Sequence, residues 1–413
     1  MTLESRLDAW SRGWRGPVLA ALVALIAGLP GVFAMPPLDR DESRFAQATA
    51  QMLETGDFVD ISFQDQPRYK KPVGIHWLQA ISVATLSDVA DREIWAYRIP
   101  SLLGAMLAAA ACAWGAAVFL GPRLGLFAGG LLGASFLLSS EAFIAKTDAM
   151  LCGLVTLAAA AMARMYFAAR GGPQVTRRTR LLFWLALAGS ILIKGPVGPA
   201  VIALTALALW GWDRDGAWLK KIGWGWGLVL TLAVVGPWAV AITVATDGAF
   251  WGAAIGGDLA PKLVSGHERH GGPFGYHTLL SFLLIFPASL LLPAALVRGW
   301  RDRLEPGVRF AICWLIPTWL MFELLPTKLA HYTLPAYGAL AWLMASAMRQ
   351  PLSRPLAIMG AILSVLAAAV FAGVSIYGLS AFGDQSDVTW AAITAALFAT
   401  AGIVGAYMVL RRA

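Results

Sequence analysis

The stretch FAMPPLDRDESRFAQATAQMLETGDF, residues 33–58, changes abruptly from apolar to ionic. The twenty residues before it are almost wholly apolar, although the chain as a whole is 14% charged. Five charges then fall within six positions: Asp39, Arg40, Asp41, Glu42 and Arg44. A dense ionic cluster directly after an apolar segment long enough to cross a bilayer predicts a membrane helix followed by a segment with a function of its own.

A hydrophobic fraction of 58% is too high for a soluble domain of 413 residues, so we predict an all-α polytopic membrane protein. Several apolar runs reach the length of about 20 residues that a helix needs to cross a bilayer. We predict about twelve transmembrane helices, at residues 16–34, 97–119, 124–140, 148–168, 181–194, 197–212, 223–245, 275–297, 308–325, 329–348, 355–379 and 388–410.

Charged residues are distributed unevenly between the two sides that this topology defines. Most of the 32 Lys and Arg fall on the side that holds both termini, and most of the 24 Asp and Glu fall on the other side. Cytoplasmic loops carry the excess of positive charge in membrane proteins. The topology therefore predicts cytoplasmic termini and places two longer segments, 35–96 and 246–274, on the outer face.

Segment 35–96 is predicted to hold two helices that lie in the membrane interface. The spacing of Phe45, Ala48, Met52 and Leu53 predicts an amphipathic helix that starts within the ionic cluster. A second helix is predicted at about residues 73–86, and it is too short and too polar to cross a bilayer. These helices would form the wall of an outer-face site that is open to lipid.

Ionisable residues recur at the outer ends of the predicted spans. They are Asp41, Glu42, Lys71, Lys146, Asp148, Lys194, Lys328 and His331. Such groups are costly at membrane depth and usually face a cavity. For any one lysine, a side chain that extends to the interface is the simpler interpretation, and Asp41 with Arg44 also fits a local ion pair on a helix. Convergence on one face favours a site, while Asp39 and Arg40 are assigned to capping and solvation.

This inventory fits the transfer of a sugar from a lipid phosphate. Lys and Arg hold phosphate and stabilise the leaving group, and a carboxylate takes the proton of an acceptor hydroxyl. A second carboxylate stabilises the positive charge that develops on the sugar ring. A lipid or sugar-lipid transporter is the alternative class, but transporters concentrate their charges near the bilayer midplane and often contain repeats.

Seven motifs occur in order along the chain: LDRDESRFAQATAQMLETGDF, RYKKPVGIHWLQA, YRIPSLLGA, KTDAML, LIKGPVG, HGGPFGY and TKLAHYTLPAYGAL. Through them the chain resembles the polyprenyl-phosphate-sugar-dependent glycosyltransferases of the GT-C fold. It is similar in particular to the bacterial branch that contains the aminoarabinose transferase of lipid A, with the protein O-mannosyltransferases as distant relatives. The resemblance implies a GT-C-type helical bundle and a transfer that inverts the anomeric carbon.

The resemblance also implies roles for individual positions. Asp41 falls where the family has its essential acidic residue, which is the base or the group that orients the acceptor. Asp148 matches a second functional carboxylate. The predicted substrate-binding residues are Glu42, Arg44, Lys71, Lys194, His270, Lys328, His331 and Tyr332.

A metal site is implied by the resemblance only in part. His270 aligns with a histidine that is a metal ligand in the aminoarabinose transferases, but their acidic partner is replaced here by Lys70. His270 is therefore either a metal ligand or a hydrogen-bonding partner of the substrate. We predict no required cofactor, with a divalent metal as the alternative.

The sequence predicts one transmembrane glycosyltransferase domain over residues 1–413, without the soluble C-terminal domain of longer relatives. The resemblance implies a bacterial inner membrane protein, a periplasmic active site and a monomer that binds no nucleic acid. The expected donor is a sugar on undecaprenyl phosphate. The expected acceptor is lipid A or another envelope glycolipid, and a protein hydroxyl is the alternative.

Overall fold

The computed structural model describes residues 3–37, 40–264 and 271–411. Its α-helices are α1 Leu3–Ser11, α2 Arg15–Ala34, α3 Arg40–Thr55, α4 Gly74–Leu86, α5 Ile94–Leu120, α6 Pro122–Gly133, α7 Phe136–Ala142, α8 Asp148–Ala168, α9 Arg177–Lys194, α10 Val197–Asp213, α11 Trp224–Ala245, α12 Ala249–Trp251, α13 Ala260–Val264, α14 Tyr276–Leu284, α15 Leu292–Arg301, α16 Pro306–Leu324, α17 Tyr337–Ala347, α18 Arg354–Phe382 and α19 Val388–Leu410. The prediction of an all-α membrane protein is confirmed.

The remaining regular structure consists of short elements that connect these helices. Turns of 3₁₀-helix occur at Val89–Asp91, Ala217–Ile222, Ala288–Leu291 and Ala330–Ala336, and a π-helix covers Gly252–Leu259. The strands β1 Ser62–Phe63 and β2 Gln66–Pro67 form an antiparallel hairpin in the first outer segment.

Among the described residues, seven helices are long and apolar enough to cross a membrane: α2, α5, α8, α11, α16, α18 and α19. In the same part of the chain, two bent pairs raise the number to nine if each pair is one span. One pair is α6 with α7, bent by 62°, and the other is α14 with the segment Ala288–Arg301, bent by 117°. The predicted count of twelve stays a prediction, because α10 has only 17 residues and α9 begins with two arginines.

Helix α8 is the most buried of the seven and packs closely against α5. A Cβ atom on Gly104 of α5 would lie 2.4 Å from the Cα atom of Met150. A Cβ atom on Gly153 of α8 would lie 2.5 Å from the carbonyl oxygen of Gly104. Small residues at both positions allow the two backbones to approach, as at many helix contacts in membranes. The close contact fixes the start of α8 and therefore the position of Asp148.

The first outer segment has the two predicted helices. Helix α3 buries Phe45, Ala48 and Met52, as their spacing predicts. It ends before Gly56, whose φ of +72° is a conformation that glycine adopts without strain. Helix α4 begins at Gly74, within one residue of the predicted start. The location of both helices in the membrane interface stays a prediction.

Candidate active site

A polar cavity of about 340 Å³ lies where the start of α3, the start of α8, the end of α9 and residues 327–332 meet. Its lining includes these predicted site residues: Asp41, Lys71, Asp148, Lys194, His331 and Tyr332. The structure thus brings together residues that are up to 291 positions apart in the chain.

An apolar cavity of about 450 Å³ adjoins the polar one. Its walls include these apolar side chains: Val197, Phe250, Trp251, Ile255, Leu259 and Phe322. Both cavities are lined by Lys71, Asp148, Lys194, His331 and Tyr332, which therefore form a charged boundary between them. This shape suits a ligand with an anionic head and a long apolar chain, because each part finds a matching environment.

Asp148 and Lys194 form an ion pair at this boundary. Asp148 is the first residue of α8 and Lys194 is the last residue of α9. Helix dipoles favour a negative charge at an N-terminus and a positive charge at a C-terminus, so each helix end stabilises its own member of the pair. The Nε2 atom of His331 lies 3.8 Å from Oδ1 of Asp148, and Nζ of Lys194 lies 5.5 Å from the centre of the Tyr332 ring.

Lys71 and Lys262 share one carboxylate at the edge of the site. The Nζ atom of Lys71 lies 2.8 Å from Oδ2 of Asp258, and Nζ of Lys262 lies 2.6 Å from Oδ1. Burial, followed by the positive charge of Lys262, lowers the pKa of Lys71 to about 8. Burial acts to raise the pKa of Asp258, but the two lysines outweigh it and the pKa lies below its ordinary value. Lys71 is therefore a cation at neutral pH that an anionic ligand would stabilise further.

Asp41 lies at the start of α3 with its side chain 48% exposed. Its Oδ1 atom lies 3.6 Å from Nη1 of Arg44 and 3.8 Å from Nη2 of Arg68. The guanidinium of Arg68 in turn lies 5.2 Å from the centre of the Phe45 ring. The local ion pair is therefore present, and Arg44, predicted to contact donor phosphate, lines neither cavity.

Glu42 also lines neither cavity, and its contact with substrate stays a prediction. Nε and Nη2 of Arg98 donate to its two carboxylate oxygens at 2.7 and 3.0 Å, and the N–H of Ala145 donates to Oε1 at 2.9 Å. Nη1 of Arg98 donates to the carbonyl oxygen of Met35 at 2.6 Å, just after α2, where a helix end leaves acceptors unsatisfied. Glu42 thus fixes α3 against two other segments and holds Asp41 beside the cavity.

Lys328 lies behind the cavity wall and not in it. Its ammonium donates to the carbonyl oxygen of Glu323 and lies 3.8 Å from the carboxylate of the same residue. The Nδ1 atom of His277 lies 2.6 Å from that carboxylate, and its Nε2 atom lies 3.1 Å from the carbonyl oxygen of Leu329. This buried network braces the loop that carries His331. Lys328 lines neither cavity, and its contact with substrate stays a prediction.

His270 lies outside the described residues, so its role as a metal ligand or substrate contact stays a prediction. Within the ranges 3–37, 40–264 and 271–411, no group of three or more His, Cys, Asp and Glu side chains is arranged to hold a metal ion. The positive charges that the structure shows at the site belong to Lys and Arg side chains.

Four further residues line the cavities but are not among the predicted catalytic or substrate-binding residues: Arg40, Lys146, Asp258 and Lys262. Arg40 is exposed, as its assignment to solvation predicts, and it also lines the polar cavity, whereas Asp39 lies outside the described residues. Lys146 precedes Asp148 by two positions in a selected motif, so a signal was present. Asp258 and Lys262 are four apart on a helical segment, a spacing that predicts a mutual pair but not what the pair faces.

The chain is thus an all-α membrane bundle in which lysines and carboxylates line the boundary between a polar cavity and an apolar one. Solved structures show the same fold. The chain matches ArnT from Cupriavidus metallidurans bound to undecaprenyl phosphate with a TM-score of 0.74 and 21% identity, over 96% of this chain and 76% of that one. It also matches the oligosaccharyltransferase AglB from Archaeoglobus fulgidus, with a TM-score of 0.56 and 13% identity, over 96% of this chain and 55% of that one.

Curated relatives point to one branch of this fold. The sequence is 29% identical over 324 residues to the undecaprenyl phosphate-alpha-4-amino-4-deoxy-L-arabinose arabinosyl transferase of Aeromonas salmonicida. It is 30% identical over 335 residues to the enzyme of that name from Pseudomonas paraeruginosa. These matches cover 76% and 78% of this chain but only 58% of each relative. No family model matches the chain. The resemblance that the motifs indicate is confirmed.

Proposed function

We propose that this chain is a membrane glycosyltransferase that takes a sugar from undecaprenyl phosphate and transfers it to an acceptor hydroxyl. The observation that carries the proposal is the boundary at which Lys71, Lys194 and Asp148 line both cavities. Five Lys and Arg side chains face two Asp side chains in the polar cavity. This excess of positive charge suits a phosphate, and the adjoining apolar cavity suits the polyprenyl chain.

Each site residue is proposed to have its own role in the transfer reaction. Lys71 and Lys194 hold the donor phosphate, with Tyr332 beside it, and Asp41 takes the proton of the acceptor hydroxyl. The acceptor oxygen forms a bond to the anomeric carbon while the bond from that carbon to the phosphate oxygen breaks. The electron pair of that bond leaves with the lipid phosphate. Asp148 stabilises positive charge on the sugar ring, and a direct displacement of this kind inverts the anomeric carbon.

The acceptor and the setting follow from the charge distribution and from the relatives. We infer an envelope glycolipid such as lipid A as the acceptor, as the resemblance of the motifs to the aminoarabinose transferases of lipid A implies, with a protein hydroxyl as the alternative. The excess of Lys and Arg on the side of the termini supports cytoplasmic termini and a periplasmic site in a bacterial inner membrane. The active unit is proposed to be a monomer with one transmembrane domain.

The variant Asp41→Asn tests the proposal. Sugar transfer should fall by about 100-fold or more, because general base catalysis is lost, while purified protein still binds undecaprenyl phosphate. Mass spectrometry of envelope lipids from cells with and without the chain should show a difference of one glycosyl unit. Asp65→Asn, at an exposed position of the β1–β2 turn, is the matched control and should leave transfer unchanged. Full transfer by Asp41→Asn would remove Asp41 as the base, and lipid movement without sugar transfer by the wild type would favour a transporter.

A further inference from the structure

Glu141 is a buried carboxylate behind the cavity wall that the chemistry above does not use. It lies near the end of α7 with a side chain only 5% exposed, and it lines neither cavity. Its Oε1 atom lies 3.2 Å from Nζ of Lys146 and 3.5 Å from Nδ1 of His331. Both of these partners line the polar cavity.

Stability does not explain Glu141. Its Oε2 atom is buried and accepts no hydrogen bond from the described residues. A buried carboxylate that lacks part of its hydrogen bonding costs free energy, and an apolar residue of similar size would avoid the cost. Groups of this kind are retained where they direct neighbouring charges, and the neighbours here are the two cavity residues Lys146 and His331.

His331 lies between two carboxylates. Nδ1 faces Glu141 at 3.5 Å, and Nε2 faces Asp148 at 3.8 Å. Only the protonated imidazole has a donor at both nitrogens, so an acceptor on each side favours that form. Lys146 contacts Glu141, and Lys194 contacts Asp148, so each of these carboxylates also has a lysine beside it. His331 therefore has an acceptor facing each ring nitrogen at the boundary where the donor phosphate is proposed to lie.

We propose that His331 is the catalytic acid for the leaving lipid phosphate and that Glu141 is the residue that positions it. This inference rests on the proposed function. As the bond from the anomeric carbon to the phosphate oxygen breaks, that oxygen receives the electron pair and then the proton from His331. The proton of the acceptor hydroxyl passes to Asp41. Asp41 therefore gains one proton, and His331 loses one. Exchange with solvent then restores both.

A double-mutant cycle separates this role from a merely structural one. His331→Gln should lower kcat by about 100-fold, the scale of general acid catalysis, with little change in the KM for the donor. Glu141→Gln should lower kcat by about tenfold, because one charge that favours the protonated ring is lost. The double variant should be no slower than His331→Gln alone, because Glu141 acts only through His331.

Two further variants sharpen the result. Lys146→Gln combined with Glu141→Gln is the matched cycle, because Glu141 also contacts Lys146. The coupling should be larger in the His331 pair than in the Lys146 pair. If the Lys146 pair is coupled and the His331 pair is additive, Glu141 acts through Lys146 and the proposal is overturned. If Glu141→Gln does not fold, the variant His331→Arg tests the acid role, because arginine keeps the positive charge but does not release a proton in proteins. His331→Arg should be as slow as His331→Gln, and recovery of kcat would overturn the acid role.

Undecaprenyl phosphate binding and thermal unfolding of each variant provide the controls. Both should stay close to the wild type in His331→Gln, since the fold and the phosphate-binding lysines are intact. Wild-type protein that transfers no sugar from an undecaprenyl phosphate donor would overturn both the proposed function and this inference. Wild-type transfer with an additive Glu141 and His331 cycle would overturn this inference alone.

Discussion

Helix α8 has a buried ionic cluster at each end, and the two clusters differ in what surrounds them. At its start, Asp148 pairs with Lys194 and faces both cavities. Beyond its other end, the carboxylate of Asp213 contacts Arg170 and Arg309 and accepts a hydrogen bond from the Tyr166 hydroxyl at 2.7 Å. None of these last four residues lines either of the two cavities.

The difference shows why buried charge alone does not identify a site. Both oxygens of Asp213 are taken by donors from α8, the residues after it and α16, so this cluster is closed and joins chain segments. The cluster at Asp148 borders a cavity in which positive side chains outnumber negative ones. An unbalanced charge beside open space is what a substrate can neutralise, and it marks the functional end of the helix.

The largest expected effect comes from Asp148→Asn, at the open cluster. Activity should fall by about 100-fold or more, because a charge that stabilises the transition state is lost in a site shielded from water. Thermal unfolding should change little, since asparagine also suits a helix start and Lys194 still faces the cavity. Transfer assays and unfolding curves on the same preparation measure both. If Asp148→Asn unfolds readily but retains the wild-type kcat when folded, the Asp148 cluster has a structural role and not a functional one.

Asp213→Asn, at the closed cluster, should show the opposite pattern. Two arginines would keep their buried positions without a negative partner, which should lower the free energy of unfolding by about 3 kcal/mol. The kcat of the folded fraction should equal that of the wild type, because the cluster lies at the other end of α8. Denaturant unfolding in detergent measures the first effect. Asp215→Asn is the control, since its exposed side chain only accepts a hydrogen bond from the Ala217 N–H, which asparagine can also do.

The same distinction explains which features could be predicted from the sequence. Apolar runs located the long helices, and charges at their ends selected Asp148, Lys194 and His331 correctly for the cavity. The same pattern also selected Glu42, which the structure pairs with Arg98, 56 positions later. Helical spacing predicts which residues share a face but not which group lies opposite them. Asp258 was missed for this reason, because its partner Lys71 lies 187 positions away.

The pH dependence of the Kd for the donor should report the ionisation of Lys71. Burial and Lys262 lower its pKa to about 8, so the side chain is charged at pH 7 and becomes neutral as the pH rises through 8. The Kd for undecaprenyl phosphate should therefore change little up to about pH 7, begin to rise as the pH passes through 8, and then increase by up to about tenfold per unit. Lys71→Arg stays charged over this range and should abolish the rise. A similar rise in both proteins would assign the titration to another group.

The smallest effect is expected for Arg44→Gln, which tests whether contact with a cavity is the right criterion. Arg44 pairs with Asp41 at 3.6 Å, with side chains 30% and 48% exposed, and such pairs contribute about 1 kcal/mol at most. Transfer activity should therefore change by less than about fivefold. Arg40→Gln is the matched comparison, since Arg40 lies four positions earlier on the same helix and lines the polar cavity, and it should be the more damaging change. If Arg44→Gln were the more damaging of the two, the donor phosphate would have to reach α3 outside the cavity. Arg44, which lines neither cavity, would then bind the donor phosphate, and contact with a cavity would be the wrong criterion for a site residue.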